Sequence, residues 1–267
     1  MKRYTVLGVI VLVALSACAS APVIQKPQYT QRHYRYSVLL YPERPINSPM
    51  LDIALSLLQM EYPAEKAEYL NRFLYTFPGL NLYKDQVITD QREFYRAKRS
   101  ETALAGSGAL SEYWRYAETV DIKRAQGRGI IIERYLETYT GGAHPFKTRK
   151  FYVIDMDEQK QLKVDDFLAG FQEKEEFREI VYGELRKYSR LEAAQQLSEG
   201  IFFSNQPELT FNFFLTNEGL GLHWDPSQIA PYSEGEIEVV LPWDTIHPMM
   251  LPASGVILSK FNIKLSA

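Results

Sequence analysis

The spacing of hydrophobic and polar positions changes character several times along this chain. An apolar run from Val6 to Leu15, interrupted only by Gly8, opens it behind Lys2 and Arg3. From Ala19 to about Tyr34 the residues are rich in Pro, Gln, Ser and Thr, with no apolar period, which reads as a tether over residues 18–34. Tyr36 to Tyr41 alternates as a strand should and is stopped by Pro42 and Pro45. Asn47-Ser48-Pro49 then has the form of a helix start, with Ser48 as N-cap and Pro49 at the first helical position. Leu51, Ala54, Leu55 and Leu58 would form that helix's apolar stripe. A second helix is predicted from Ala64 to Tyr75, ending before Pro78-Gly79, and residues 84–104 are helix-prone with a weaker stripe.

Gly106-Ser107-Gly108 breaks the chain, and the period then shortens to two. Glu112–Ala125 and Gly129–Thr140 are long alternating runs joined by Gln126-Gly127-Arg128-Gly129, the composition of a hairpin turn. Phe146–Asp155 is the next strand. Its turn leads through Leu162 to a short Asp165-Asp166-Phe167-Leu168 element, followed by predicted helices at about 173–188 and 190–199. Leu209, Phe211, Phe213 and Leu215 then alternate as one strand face, Asn217-Glu218-Gly219 turns the chain into Leu220–Trp224, and a last strand starts at Gly235 and ends at Pro242-Trp243.

Strands grouped around helices in this order predict an α+β fold, an antiparallel sheet with helices packed on one side. The composition shifts divide the chain into a signal segment (1–17), the tether (18–34), a small N-terminal α/β subdomain (35–108) and a larger C-terminal α+β subdomain (109–267).

The first apolar run is too short to span a hydrocarbon layer of about 30 Å and suits a cleaved signal segment. It ends in Leu15-Ser16-Ala17-Cys18, which resembles the lipobox of bacterial lipoproteins, with small residues before a cysteine that becomes lipidated. Cleavage after Ala17 with an incidental cysteine is the alternative. Cys18 is the only cysteine, so the mature chain has no internal disulfide and its stability rests on a hydrophobic core. The formal charge of −3 becomes about −5 without Lys2 and Arg3. Such a surface carries no footprint for nucleic acid and no basic cluster for anionic lipid, so the membrane would be held by the lipid on Cys18 alone. The absence of Asp after that cysteine, where Ala19 stands, leaves an outer membrane open alongside the inner one, with the chain facing the periplasm or the cell exterior.

Two segments carry more than composition. One is Tyr139-Thr140-Gly141-Gly142-Ala143-His144-Pro145. The other runs from Leu215-Thr216-Asn217-Glu218-Gly219 through Asp225-Pro226-Ser227-Gln228-Ile229-Ala230-Pro231-Tyr232 to Val239-Val240-Leu241-Pro242-Trp243. In this order, with Val164-Asp165-Asp166-Phe167-Leu168 between them, they resemble an exported bacterial domain. That domain is found in lysozyme-sensing anti-sigma factors of the RsiV type and in peptidoglycan deacetylases of the PdaC type. The resemblance covers nearly all of the mature chain, since Tyr36–Phe77 is similar to the smaller domain that usually precedes it. Neither a sigma-binding segment nor a deacetylase domain is recognisable, so the resemblance implies recognition of the cell wall or of a wall-acting protein, and no catalysis.

The residues make physical sense on their own. Gly141 and Gly142 allow backbone conformations closed to other residues, and His144 before Pro145 is held extended. Pro226, Pro231 and Gly235 stiffen a loop tipped with Tyr232, and a loop fixed in advance loses little entropy on binding. Gly141, Gly142, His144, Pro226, Pro231 and Tyr232 are therefore the candidate ligand-binding residues. A purely structural corner, with His144 bonded to a carbonyl and Tyr232 packed down, accounts for the same residues.

Other chemistry finds little footing. His33, His144, His223 and His247 are scattered, which argues against a metal site, and no cofactor is expected. Asp155, Asp157 and Asp166 fall at calcium-loop positions, but Lys160 stands where the loop needs glycine. Gly106-Ser107-Gly108 lacks the strand-to-helix setting of a nucleophile elbow. The expectation is a non-catalytic envelope lipoprotein whose ligand is a cell-wall glycan or a wall-acting protein such as lysozyme. The alternatives are a wall-modifying enzyme using carboxylates and His144, or a structural lipoprotein.

Overall fold

A hairpin of two long strands, β1 (Gln28–Leu39) and β2 (Met50–Tyr62), opens the computed structural model, which describes residues 28–39, 41–43, 45–62, 64–75, 80–104 and 113–265. The signal segment, Cys18, residues 19–27 of the tether and the Gly106–Gly108 break lie outside the described residues.

Both strands correct an expectation. Residues 28–34, read as tether, are already paired with β2, from Gln28 opposite Tyr62 onward. Polar side chains hold them there: Thr30 donates to Glu61 at 3.0 Å, and the Gln31 amide donates to Ser56 Oγ and to the Val120 carbonyl, both at 2.9 Å. An edge strand needs backbone partners and one covered face, so the lack of an apolar period did not exclude it. Residues 49–58, expected as a helix, form most of β2. Leu51, Ile53, Leu55 and Leu57 are buried at a spacing of two, and this alternation overrides the helical spacing of Leu51, Ala54, Leu55 and Leu58.

Helices α1 (Ala64–Tyr75) and α2 (Leu80–Leu104) form the crossover to β3 (Tyr113–Gln126). This strand runs parallel to β2, with Met50 opposite Tyr113 and Ser56 opposite Thr119, an exception to the expected antiparallel sheet. Parallel neighbours need a connection of a dozen residues or more, which the two helices supply. β3 and β4 (Gly129–Tyr139) form the expected antiparallel hairpin, and β5 (Phe146–Asp155) and β6 (Lys160–Gln161) complete a six-stranded sheet in the order β1 to β6. Gly129 is needed because the Phe261 ring lies where its Cβ would be.

One face of this sheet (Trp114, Tyr116, Val120, Ile130, Ile132, Ile154) packs with Leu70, Leu74, Tyr83 and Tyr95 of α1 and α2. On its other face Ile131, Phe151 and Val153 meet a second, antiparallel sheet of β7 (Phe213–Leu215), β8 (Gly219–Trp224) and β9 (Ile237–Pro242). α3 (Glu175–Tyr188) buries Phe177, Val181 and Leu185 in that second core. The class is α+β, as the strand and helix pattern predicts. The chain closes with α4 (Trp243–Ile246) and α5 (Ser254–Lys260), which the apolar spacing did not announce.

Two local expectations fail in this half. The predicted helix at 190–199 is a series of turns with a single 3-10 turn at Leu197–Glu199, and Arg190 sits at φ 57°, outside helical space. The strand expected from Leu209 is reduced to Phe213–Leu215: Phe211 is 63% exposed and Thr210, its neighbour, is buried, the reverse of the expected alternation.

Between α2 and the large sheet lies a polar cluster in an apolar core. Glu118, 1% exposed, accepts hydrogen bonds from Tyr83 at 2.8 Å, Tyr116 at 3.0 Å and Arg134 Nε at 2.6 Å. Arg134 also donates to the Tyr83 hydroxyl, and to the Leu74 carbonyl at 3.4 Å. Burial and the neighbouring Glu118 push the phenols of Tyr75, Tyr83 and Tyr116 above their ordinary range, so they act as neutral donors. Two helices and two strands are tied to one carboxylate.

Candidate functional site

Where β4 ends, Gly141 and Gly142 turn the chain at φ 91° and 106°, in the left-handed region that the two glycines were expected to permit. The Tyr139 hydroxyl donates to the Gly142 carbonyl at 3.1 Å and ties the turn to the strand it leaves. His144 follows on the surface, with Nδ1 3.3 Å from the Pro145 carbonyl oxygen.

The loop between β8 and β9 is self-bonded. The Gln228 N–H donates to the Asp225 carbonyl at 3.1 Å, and the Gln228 side chain accepts from the Asp225 N–H at 2.9 Å. Ile229 and Ala230 are buried and anchor it to the second core. Pro231 leads into a 3-10 turn at Tyr232–Glu234, closed by Gly235 at φ 73°.

The two turns meet. The His144 and Tyr232 rings stack with centroids 3.6 Å apart and planes 14° from parallel. Tyr232 is half-buried and His144 exposed, so the pair is neither a core contact nor two free side chains. Beside it opens a concavity of about 530 Å³ lined by Phe146, Lys147, Pro226, Ser227 and the stacked rings. Of the expected residues, His144, Pro226 and Tyr232 line this space, Gly141 and Gly142 set the turn that delivers His144, and Pro231 is exposed at the base of Tyr232.

Beneath the loop is a cluster that the motifs did not announce. His223, 0% exposed on β8, places Nε2 3.2 Å from Asp225 Oδ1 and Nδ1 3.0 Å from Glu238 Oε1. A neutral imidazole has one N–H; an acceptor at each nitrogen is matched by the doubly protonated ring. Burial alone would lower the His223 pKa, but hydrogen bonds to Asp225 and Glu238, with their charges, outweigh it and raise it. Burial opposes the charge on Asp225 too, but bonds from His223, Thr148 and the Arg149 N–H hold its carboxyl below the usual range. The bond from His223, aided by Lys123, does the same for Glu238 against its burial.

Asp225 is thereby held by three donors. Its Oδ2 accepts from Thr148 at 2.6 Å and its Oδ1 from the Arg149 N–H at 2.7 Å, besides His223. Asn212 continues the same device along β5, accepting from the Phe151 N–H at 2.9 Å and donating to the Arg149 carbonyl at 2.6 Å. These two side chains occupy backbone groups on the open edge of β5, as a neighbouring strand would. Arg149 in turn pairs with Glu133 and, at 2.8 Å, with Glu236, and Lys123 lies 3.9 Å from Glu238 over the Phe151 and Phe214 rings. The local signal was the i, i+2 spacing of His223, near the end of β8, and Asp225, the first residue after it; Glu238 becomes their partner only through the β8–β9 register.

The cluster predicts a signed pH dependence. The raised His223 pKa contributes stability that is fully present below the ordinary value of 6.5 and is lost as pH rises through the raised value. The depressed Asp225 and Glu238 contribute stability that is present above the ordinary carboxylate range and lost as pH falls through their lowered values. Thermal melts should therefore peak at mildly acidic pH and decline toward alkaline pH, and His223→Gln should flatten the alkaline limb. An unchanged alkaline decline in that variant would assign it to other groups.

Among the described residues, no group of three His, Cys, Asp or Glu is placed to hold a metal ion, and no helix is long and apolar enough to cross a membrane. Residues 165–244 match a family model described as protein of unknown function, DUF3298. That span holds β7 to β9 and the Tyr232 loop, and leaves out the Gly141–His144 turn. No curated protein matches the chain. Its fold is similar to the crystal structure of a DUF3298 family member from Bacteroides fragilis NCTC 9343 (TM-score 0.72, 16% identity, covering 88% of this chain and 97% of that one). It is also similar to a DUF3298 family protein from Pseudomonas aeruginosa PAO1 (TM-score 0.56, 18% identity, covering 84% and 95%). At these identities the likeness is one of fold.

Proposed function

We propose that this chain is a non-catalytic lipoprotein of the bacterial cell envelope, anchored through Cys18, and that it recognises a cell-wall component or a wall-acting protein at the corner formed by His144 and Tyr232. The observation that carries this reading is the stacked pair beside its concavity. Two turns from distant parts of the chain present aromatic surface on backbone that is already fixed, so little conformational entropy is lost when a ligand arrives. The resemblance to lysozyme-sensing and peptidoglycan-modifying proteins points to the same class of ligand.

The nearby carboxylates favour binding over hydrolysis. Glycoside hydrolysis needs one carboxyl held protonated beside one held ionised. Asp225 and Glu238 are both pulled down by His223, and both oxygens of Asp225 already accept hydrogen bonds.

Binding of the full-length chain to lysozyme and to purified peptidoglycan tests the reading. Truncating an aromatic anchor commonly costs about 2 kcal/mol, so Tyr232→Ala should weaken binding roughly thirtyfold with the melting temperature nearly unchanged. A sharp fall in melting temperature would make Tyr232 a structural residue. Undiminished binding by a folded Tyr232→Ala, His144→Ala double variant would place the ligand elsewhere.

A further inference from the structure

We infer that a second concavity, on the other side of Asp225 and Gln228, continues the site, and that the ligand is a linear glycan strand bearing acetamido and carboxylate groups, long enough to lie across both. This rests on the recognition reading above and names its substrate class. The second space, of about 630 Å³, shares Asp225 and Gln228 with the first as a common wall. Two adjoining hollows on one wall fit a chain of repeating units better than a single compact group.

Each hollow has an aromatic surface. Phe146, 62% exposed, joins the stacked His144–Tyr232 pair at the first. At the second is Phe211, 63% exposed, whose ring is braced edge-on by Phe171 at 5.7 Å and 86° while much of it stays open to solvent. The apolar face of a pyranose ring stacks on such surfaces, and a site of this kind needs only a few placed polar groups to fix register.

Those polar groups are mostly donors. The Gln228 side-chain oxygen is taken by the Asp225 N–H, which leaves its NH2 to donate. Lys163 is exposed on the second hollow and forms no ion pair among the described residues, and Lys147, loosely paired with Glu137 at 3.9 Å, lines the first. The acceptors on the shared wall are largely engaged, since Asp225 already receives three hydrogen bonds and has about one lone pair left on Oδ2. Asp165, at the far rim, accepts from the Gly170 N–H. A ligand that meets these donors gains by bringing acceptors. Acetamido carbonyls and carboxylates on a sugar backbone supply them, and apolar ring faces meet the aromatics.

The test is titration of the full-length chain with peptide-free peptidoglycan glycans, a disaccharide and a tetrasaccharide that retain their lactyl carboxylates, with neutral chitotetraose as comparison. The tetrasaccharide should bind about tenfold tighter than the disaccharide, and tighter than chitotetraose. Phe211→Ala should remove the advantage of length, bringing the tetrasaccharide down to the affinity of the disaccharide; Phe211 is so exposed that its loss should not move the melting temperature. Equal affinity for both lengths, or indifference to Phe211→Ala, would overturn the second subsite. Binding of chitotetraose as tight as the acidic tetrasaccharide would overturn the carboxylate requirement. Binding of lysozyme with no glycan binding, still weakened by Tyr232→Ala, would overturn the glycan and leave the His144–Tyr232 reading standing.

Discussion

Arg134→Met is expected to lower the free energy of unfolding by about 3–5 kcal/mol, the range for leaving one half of a buried ion pair behind. Glu118 would stay where it is, almost wholly enclosed, with only Tyr83 and Tyr116 to donate to it. Both hydroxyls help, but neither carries charge, and the guanidinium supplies the shortest bond to the carboxylate that the tyrosines do not make. Methionine keeps much of the packing volume, so the loss reports the charge and not a cavity. For a chain of this size such a change moves the thermal midpoint by roughly 10 °C. Adding Glu118→Gln to the variant should recover part of the loss, because an amide can be enclosed at less cost than an ion. Urea melts of the two variants decide it. A single variant within about 1 kcal/mol of the parent, or a double variant worse than the single, would show that the pair is solvated in practice.

Asp225→Ala should cost about 2–4 kcal/mol and weaken ligand binding as well. The substitution strips acceptors from three donors at once: the buried His223 ring, the Thr148 hydroxyl and the Arg149 N–H. It also frees the first residue of the loop that presents Tyr232, so rigidity is lost where recognition needs it. Asp225→Asn should be milder, because an amide oxygen still accepts one or two of these bonds. In either variant His223 loses the negative charge beside Nε2, and the alkaline decline in stability should be smaller and complete at lower pH. Calorimetric melts across pH, with binding measured beside them, test both halves. An Asp225→Ala protein that melts within about 2 °C of the parent would mean that water takes over the role of the carboxylate.

The hairpin of β3 and β4 was legible because every level agreed: alternation, a glycine-rich turn and flanking aromatics all demand paired strands. β2 was not, because Leu51, Leu55 and Leu58 satisfy a helical spacing as well as Leu51, Ile53, Leu55 and Leu57 satisfy a strand's. Asn47-Ser48-Pro49 then broke the tie wrongly; the Ser48 hydroxyl in fact accepts from the Tyr41 N–H across the hairpin connection. In a segment so rich in leucine, only the partner strands decide, and those lie in β1 and across two helices in β3. The same limit explains the site. His144 and Tyr232 could be singled out locally because prolines and glycines mark their turns, but that they stack on each other is a fact of tertiary structure. Of the charges around His223, only Asp225 is near it in sequence; Lys123, Arg149 and Glu238 come from β3, β5 and β9 and carry no marker. Phe211 was legible as an aromatic but placed on one strand face with Leu209, Phe213 and Leu215, since alternation foresees neither an early end to a strand nor a ring left at the surface.

The parallel pairing of β2 with β3 sets a timetable for the growing polypeptide. About fifty residues separate the end of β2 from the start of β3. For a chain delivered N-terminus first, the inner edge of β2 waits for its neighbour until all of these residues have followed. During that interval a finished hairpin shows unpaired backbone along one side and a row of leucines and isoleucine on one face. α1, arriving first, can cover the leucines but cannot satisfy the edge. A nascent chain interrupted before β3 is thus a sticky template and not a smaller version of the fold. The outer edge of the same hairpin carries Arg32 and Arg35 on β1, positive charges that discourage one copy from adding to another.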